Sequence, residues 1–203
     1  MNGTEKVVLS YEEIRIPNLK GGGGVMHRGE TSLMRRLADI VTKNGGDILE
    51  IGFGMHLSAD GIQSNPNVTS HTIIEVHPDI YKTALIWAKD KPNVKILLGD
   101  WIYVLPTIQL KFDGVLHDTH LDSNIPKFLD YVKPNCKEGT IVGFFDTPIK
   151  DGRFNAVRHK LSDIEYDSLP YKNDFFKYGD YELKYTIFNG IDFQRDKNTT
   201  SLI

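Results

Sequence analysis

The sequence predicts an α/β protein with a mostly parallel sheet of seven strands, helices on both faces, and an antiparallel hairpin at the C-terminal end. Three observations predict it. From residue 30 onward, short apolar runs alternate with segments of helical period. The apolar runs are nearly continuous, as in strands buried on both faces of a parallel sheet. The tail carries two strand-like runs, YELKYTIF and IDFQR, joined by Asn189-Gly190, a strong hairpin signal.

The elements follow in order. The first 24 residues are weakly patterned and end in GGGG at 21–24, which reads as a flexible N-terminal segment or a lid. Residues 25–203 read as a single domain. Leu33, Met34, Leu37, Ile40 and Val41 recur at three- and four-residue steps, predicting a helix over 30–41 that NGG at 44–46 stops. DILEIGFG (47–54) is the first parallel strand running into a glycine turn, and LSADGIQ (57–63) starts the next helix. HTIIEVH (71–77) is the second strand, followed by a helix, PDIYKTALIWAKD (78–90), with Pro78 in its first turn. VKILLGD (94–100), FDGVLHD (112–118) and TIVGFFD (140–146) supply strands three to five, with SNIPKFLDYVK (123–133) as the helix before the fifth. GRFNAVRHKLSDI (152–164) reads as the helix that leads to the hairpin. This order is Rossmann-like.

Composition narrows the function classes. The chain has 203 residues and a formal net charge of -3, so it has no global attraction to nucleic acid or an anionic membrane. Its one cysteine, Cys136, excludes an intrachain disulfide and a cysteine-based zinc cluster. The N-terminal stretch lacks the apolar core of a signal peptide, and no run approaches the ~20 apolar residues of a membrane span. A cytoplasmic protein that acts on a small molecule is the expectation; a homodimer is left open. HDTH, at 117–120, has two histidines and an acid, but too few further ligands for a metal site, and no metal is expected.

The glycine turn poses the ligand question. Gly52 and Gly54 lack the following Gly-Lys-Ser/Thr of a P-loop. A dinucleotide fingerprint needs a third glycine where Leu57 stands, which argues against a nicotinamide-dependent oxidoreductase. Acids end three neighbouring strands: Glu75, Asp100 and Asp118. An acid in the position of Glu75 accepts hydrogen bonds from ribose hydroxyls, and Trp101 offers an aromatic face to an adenine. The set suits an adenosine without phosphates, hence S-adenosylmethionine. Each residue also has a plainer reading: Glu30 as a first-turn acid, Asp118 as a helix cap, Trp101 as a core aromatic.

LEIGFGM, IIEVHP, LLGDW and LHDT together resemble the motif series of class I S-adenosylmethionine-dependent methyltransferases. VMHRGETSLMRRLA, at 25–38, is similar to the VMERWETPYM type of segment in guanidinoacetate N-methyltransferases and their arginine-methylating relatives. Those proteins also carry a G-F-G-M loop and a D-T pair after the fourth strand. The similarity covers roughly residues 25–145.

The resemblance implies a guanidino N-methyltransferase that consumes S-adenosylmethionine and releases S-adenosylhomocysteine. It implies a cofactor site from Met26, Met34, Glu50, Gly52, Phe53, Gly54 and Met55 on one side. Glu75, Val76, Gly99, Asp100, Trp101 and Asp118 complete it. Glu30 and Asp118 match the family's two substrate carboxylates, with Asp118 taking the proton. Such a pair suits a planar, permanently charged guanidinium. Two departures bear on the acceptor. Gly29 stands where the family has tryptophan, and DTPIK at 146–150 replaces a polar NLTSW run. Pro148 offers no N–H, so the acceptor is larger than guanidinoacetate, or its carboxylate meets Lys150 or Arg153. A methyltransferase for another small amine or hydroxyl is the alternative within the same fold.

Overall fold

Apolar alternation decides the layers. Ile48, Ile73 and Leu116 join one core, while their chain neighbours Leu49, Ile74 and Val115 join another, so the central strands are covered on both faces. The computed structural model describes residues 6–17, 24–119, 124–145, 153–160 and 180–196.

Three short strands, β1 (Val8–Leu9), β2 (Glu13–Arg15) and β3 (Gly24–His27), form a small antiparallel sheet. The N-terminal stretch is therefore ordered into pairing that its sequence pattern does not advertise. Of the glycine run, Gly24 opens β3, and 21–23 lie outside the described residues. A 3-10 turn, Arg28–Glu30, leads into α1 (Thr31–Val41). The alternating core continues as β4 (Gly46–Ile51), α2 (Leu57–Ser64), β5 (Val68–Glu75), α3 (Pro78–Trp87) and β6 (Val94–Leu98). It proceeds through α4 (Trp101–Val104), β7 (Phe112–His117), α5 (Ile125–Val132) and β8 (Cys136–Phe145). The chain ends with β9 (Asn155–Lys160), β10 (Asp180–Phe188) and β11 (Phe193–Gln194).

The main sheet runs β11-β10-β8-β7-β4-β5-β6, with β9 added beside β10. Pairs among β4, β5, β6, β7 and β8 are parallel, and those of β10 are antiparallel. α1 supplies Leu33, Met34 and Leu37 to one core, and α5 supplies Phe128, Leu129 and Val132 to the other. β4 lies between β5 and β7, so the chain turns outward in both directions from this point. The crevice above the carboxyl ends of β4 and β7 is thus the topological switch point, where ligands of open α/β sheets collect.

Two details differ from the sequence reading. The sheet has eight strands rather than seven, because Asn155–Lys160 is the strand β9 and not a helix. It pairs with β10 from Asn155↔Tyr185 to Lys160↔Asp180, and this ladder overrides a weak helical period that Asn155 already interrupts. The terminal hairpin pairs Phe188 with Phe193, so its loop runs through four residues, 189–192, and not through Asn189-Gly190 alone. Asn189 is the reason: its Oδ1 accepts from the N–H groups of Ile191 and Asp192, closing a wider turn.

Candidate active site

A cavity of about 330 Å³ opens at the switch point, a volume at the lower end of those that hold small molecules. Gly52, Gly54, Glu75, Val76, Gly99, Asp100, Trp101 and Asp118 all line it. The strand ends are tied together beneath it. Gly52 N–H donates to Ile74 O, Gly99 N–H to Glu75 O, and Asp118 N–H to Ile51 O.

Gly52 is required by close approach. Its φ is +88°, and a Cβ there would lie 2.3 Å from the carbonyl oxygen of Asp118. The glycine turn after β4 and the backbone of Asp118 therefore pack directly on each other. Gly52→Ala is expected to destabilise the fold by ~2–4 kcal/mol and to weaken S-adenosylhomocysteine binding along with it. Urea denaturation monitored by circular dichroism checks the first effect, and calorimetric titration checks the second.

Glu75 is buried at the tip of β5. Its Oε2 accepts from Phe53 N–H at 2.9 Å and its Oε1 from His77 N–H at 2.7 Å. Burial raises its pKa, and the N–H groups of His77, Phe53 and Gly54 act against that rise. The carboxylate thus pins the glycine turn to the start of α3 while one edge borders the cavity. Asp100 caps α4, its Oδ1 accepting from Ile102 N–H at 2.9 Å. Trp101 lines the cavity, and its ring stands edge-on to Phe128 at 5.2 Å and to Tyr131 at 5.5 Å, as a core aromatic does.

Asp118 follows β7, half-buried with access to the cavity. The helix after it begins at Ile125 and is capped by Asn124, whose Oδ1 accepts from Lys127 N–H, so Asp118 caps no described helix. Its pKa is raised to about 6, first by burial and then by the charge of Glu50. Glu30 is buried, 7% exposed, at the end of the turn that enters α1. Burial raises its pKa to about 8, the charge of Asp118 raises it too, and the His27 N–H hydrogen bond draws it back. The charge of Asp118 is therefore felt at Glu30, although the two residues are 88 positions apart in sequence. Asp118 lines the cavity, while Glu30 is not among its lining residues, and a charge on either acid is costly without a cation nearby.

Other predicted residues stand back from the cavity. Glu50 is fully buried, with Ser58 hydroxyl donating to Oε1 and His71 Nε2 paired with Oε2 at 2.9 Å. Met34 sits in the core beneath α1. The Phe53 ring packs edge-on to Trp87 at 5.3 Å, leaving its N–H to serve Glu75. Met26 Sδ accepts from Met55 N–H at 3.2 Å and abuts Gly54, and Met55 lines a separate cavity of about 100 Å³. The segment at 146–150 and His120 lie outside the described residues. Sequence reasoning missed the apolar walls, Ile16, Val25, Ile80 and Ile102, along with His77 and Thr119. Ile16 and Val25 come from the small N-terminal sheet or its margin, and an apolar wall carries no chemical mark in a sequence. Among the described residues no group of three or more potential ligands could hold a metal, and no helix is long and apolar enough to cross a membrane.

An apolar cleft edged by acids, approached by a glycine turn and, among the described residues, lined by no lysine fits an adenosyl sulfonium. Residues 11–131 match the guanidinoacetate N-methyltransferase family, more than half of the chain. The chain belongs to that family. Its members are S-adenosylmethionine-dependent methyltransferases. Among curated relatives, protein arginine N-methyltransferase 2 of Neurospora crassa is 44% identical over 147 residues, 62% of this chain and 34% of that protein. The enzyme of the same name from Debaryomyces hansenii is 31% identical over 157 residues, 70% of this chain and 36% of that protein. The chain thus spans about a third of the length of these relatives.

Solved structures agree on the fold. Spermidine synthase from Thermotoga maritima aligns with a TM-score of 0.61 at 14% identity, covering 92% of this chain and 73% of that one. The O-methyltransferase TomG from Streptomyces achromogenes, solved in complex with S-adenosylmethionine, aligns with a TM-score of 0.56 at 16% identity. That alignment covers 81% of this chain and 82% of TomG.

Proposed function

We propose that this guanidinoacetate N-methyltransferase family member methylates a guanidino nitrogen, with Glu30 and Asp118 gripping the guanidinium. The observation that supports the reading is the pair itself: half-buried Asp118 at the cavity and buried Glu30, which feels its charge, each disfavoured in its charged form until a cation arrives. S-adenosylmethionine, when bound, supplies an electrophilic methyl on its sulfonium. In this reading Glu75 receives the ribose hydroxyls, Trp101 and Asp100 border the adenine, and Gly52 lets the chain pass beside the methionine half. Glu30 orients and neutralises the acceptor. Asp118 aims the attacking nitrogen and accepts the proton that it sheds as the C–N bond forms. Gly29 carries no side chain where the segment it resembles has tryptophan. That smaller residue, with the arginine N-methyltransferase relatives, favours an arginine side chain over guanidinoacetate as acceptor.

The pair predicts a pH dependence with a definite sign. In the ligand-free protein Glu30 binds a proton below about pH 8 and Asp118 below about pH 6. A guanidinium binds the charged forms, so it expels protons, and its affinity rises with pH to a plateau above about 8. Titrating the S-adenosylhomocysteine-loaded protein with an arginine-containing peptide, in buffers of different ionisation heat, should show roughly one proton released near pH 7. Affinity that tightens as pH falls, or binding without proton exchange, contradicts the pair's role. The stability sign is the reverse. A carboxyl whose folded pKa is raised stabilises the fold below its unfolded value, 4.5, and that contribution is lost as pH rises through about 8. Glu30→Gln should therefore gain thermal stability over wild type as pH climbs from about 5 to about 8.5 in the absence of acceptor.

A further inference from the structure

Glu30 is delivered by Arg28–Glu30, three residues of 3-10 helix with poor hydrogen-bond geometry of their own. Gly29, in the middle, adds no side chain to stiffen it. The turn is anchored from outside. Arg28 N–H donates to Glu12 O at 2.8 Å, and the Arg28 guanidinium lies 4.0 Å over the Tyr11 ring with Nε donating to Tyr11 O. His27 supplies the other anchor, and does so twice. Its Nδ1 accepts from Gly29 N–H at 3.0 Å, and its own N–H donates to Glu30 Oε1 at 2.8 Å. This is a reciprocal capping box with a histidine in place of the usual hydroxyl. The His27 ring is buried, 5% exposed, at the end of β3, where His27 pairs in register with Glu13 of β2.

We infer that His27 is a positioning residue: its unprotonated ring holds the turn that aims Glu30 at the acceptor. The inference rests on the role proposed above for Glu30. The chemistry follows from the acceptor requirement, because Nδ1 can accept from Gly29 only while it carries no proton. Protonation would set two N–H groups against each other, open the cap and release the carboxylate. The charged groups around the ring are Glu12, just before β2, Glu13 of β2, and Arg28 and Glu30 from the turn, with Asp118 beyond Glu30. Burial lowers the ring's pKa and outweighs the pull of Glu13 and Glu12, so the cap is intact at neutral pH and fails only in acid.

Two substitutions test it: His27→Ala, which deletes the acceptor, and His27→Asn, whose Oδ1 accepts the same N–H without titrating. For each, kcat and KM for an arginine-containing peptide are measured from about pH 8 to about pH 5.5, with S-adenosylhomocysteine affinity and melting temperature on the same samples. His27→Ala is expected to raise acceptor KM about tenfold near pH 7.5 with S-adenosylhomocysteine affinity held within about twofold. His27→Asn is expected to restore KM, and the ratio of its kcat/KM to that of wild type should climb as pH falls. A flat ratio overturns the inference, as does wild-type KM in His27→Ala. If His27→Ala does not fold, the pH trend of His27→Asn decides alone. Glu30→Gln, assayed alongside, separates the two claims: unchanged acceptor KM there removes Glu30 from the site, whereas a large loss there with no His27 effect removes only His27.

Discussion

Asp118→Asn is expected to lower kcat about a thousandfold while S-adenosylhomocysteine binds within about threefold of wild type. The amide keeps the shape of the side chain, and the backbone bond from Asp118 N–H to Ile51 O is untouched, so the end of β7 stays in place. What vanishes is the negative charge that steers the guanidinium and the lone pair that takes its proton. The free protein should not suffer. Asp118 is raised to about 6 partly by the charge of Glu50, and it in turn raises Glu30, so removing it relieves two repulsions. The variant is thus expected to melt at or above the wild-type temperature at neutral pH, and the acid limb of Glu30 should move down in pH. Single-turnover kinetics with pre-bound S-adenosylmethionine check the first effect. Retained turnover would remove Asp118 from the chemistry.

Glu75→Gln has the second large effect, and it falls on the cofactor. Glu75 receives two backbone donors, one on each oxygen, from Phe53 and His77. A glutamine of the same shape must turn its NH₂ toward one of those N–H groups, which leaves a buried donor unpaired and costs ~1–3 kcal/mol of stability. The same change removes the charge that a ribose diol would meet. S-adenosylmethionine affinity should fall about a hundredfold, with kcat at saturation reduced far less. Calorimetry for affinity and thermal melting for stability separate the two losses. Wild-type affinity in Glu75→Gln would move the ribose elsewhere.

The parallel core was readable because its signals are local and repeated. Each buried strand is a short apolar run, those from β4 to β7 are each followed by a helix, and the acids Glu75, Asp100 and Asp118 end strands whose spatial order follows from topology. The tail was less readable. Whether Asn155–Lys160 coils or extends depends on β10, which lies beyond it in the chain, and no local pattern reports a ladder that remote. The hairpin signal at Asn189-Gly190 was real, yet Asn189 used its side chain to cap a wider loop.

The site divides in the same way. Glu75 could be singled out because an acid that ends a buried strand needs a partner, whereas Glu30 and Asp118 were singled out through the family segments that VMHRGET and LHDT resemble. Glu50 has its partners elsewhere, in Ser58 and His71. Ile16 and Val25 could not be named at all, since their contribution is shape and they reach the cavity through a small sheet with little sequence pattern.

The measurement that tests the account most directly is the product of one reaction. The protein is incubated with S-adenosylmethionine and, separately, with guanidinoacetate, free arginine, an arginine-containing peptide, a primary amine and a catechol, and fragment mass spectra locate any methyl gained. The account predicts one methyl on a guanidino nitrogen, with the arginine-containing peptide preferred, S-adenosylhomocysteine formed in equal amount, and loss of the product in Asp118→Asn. Methylation confined to the amine or the catechol, or a guanidino product that survives intact in Asp118→Asn, would contradict it.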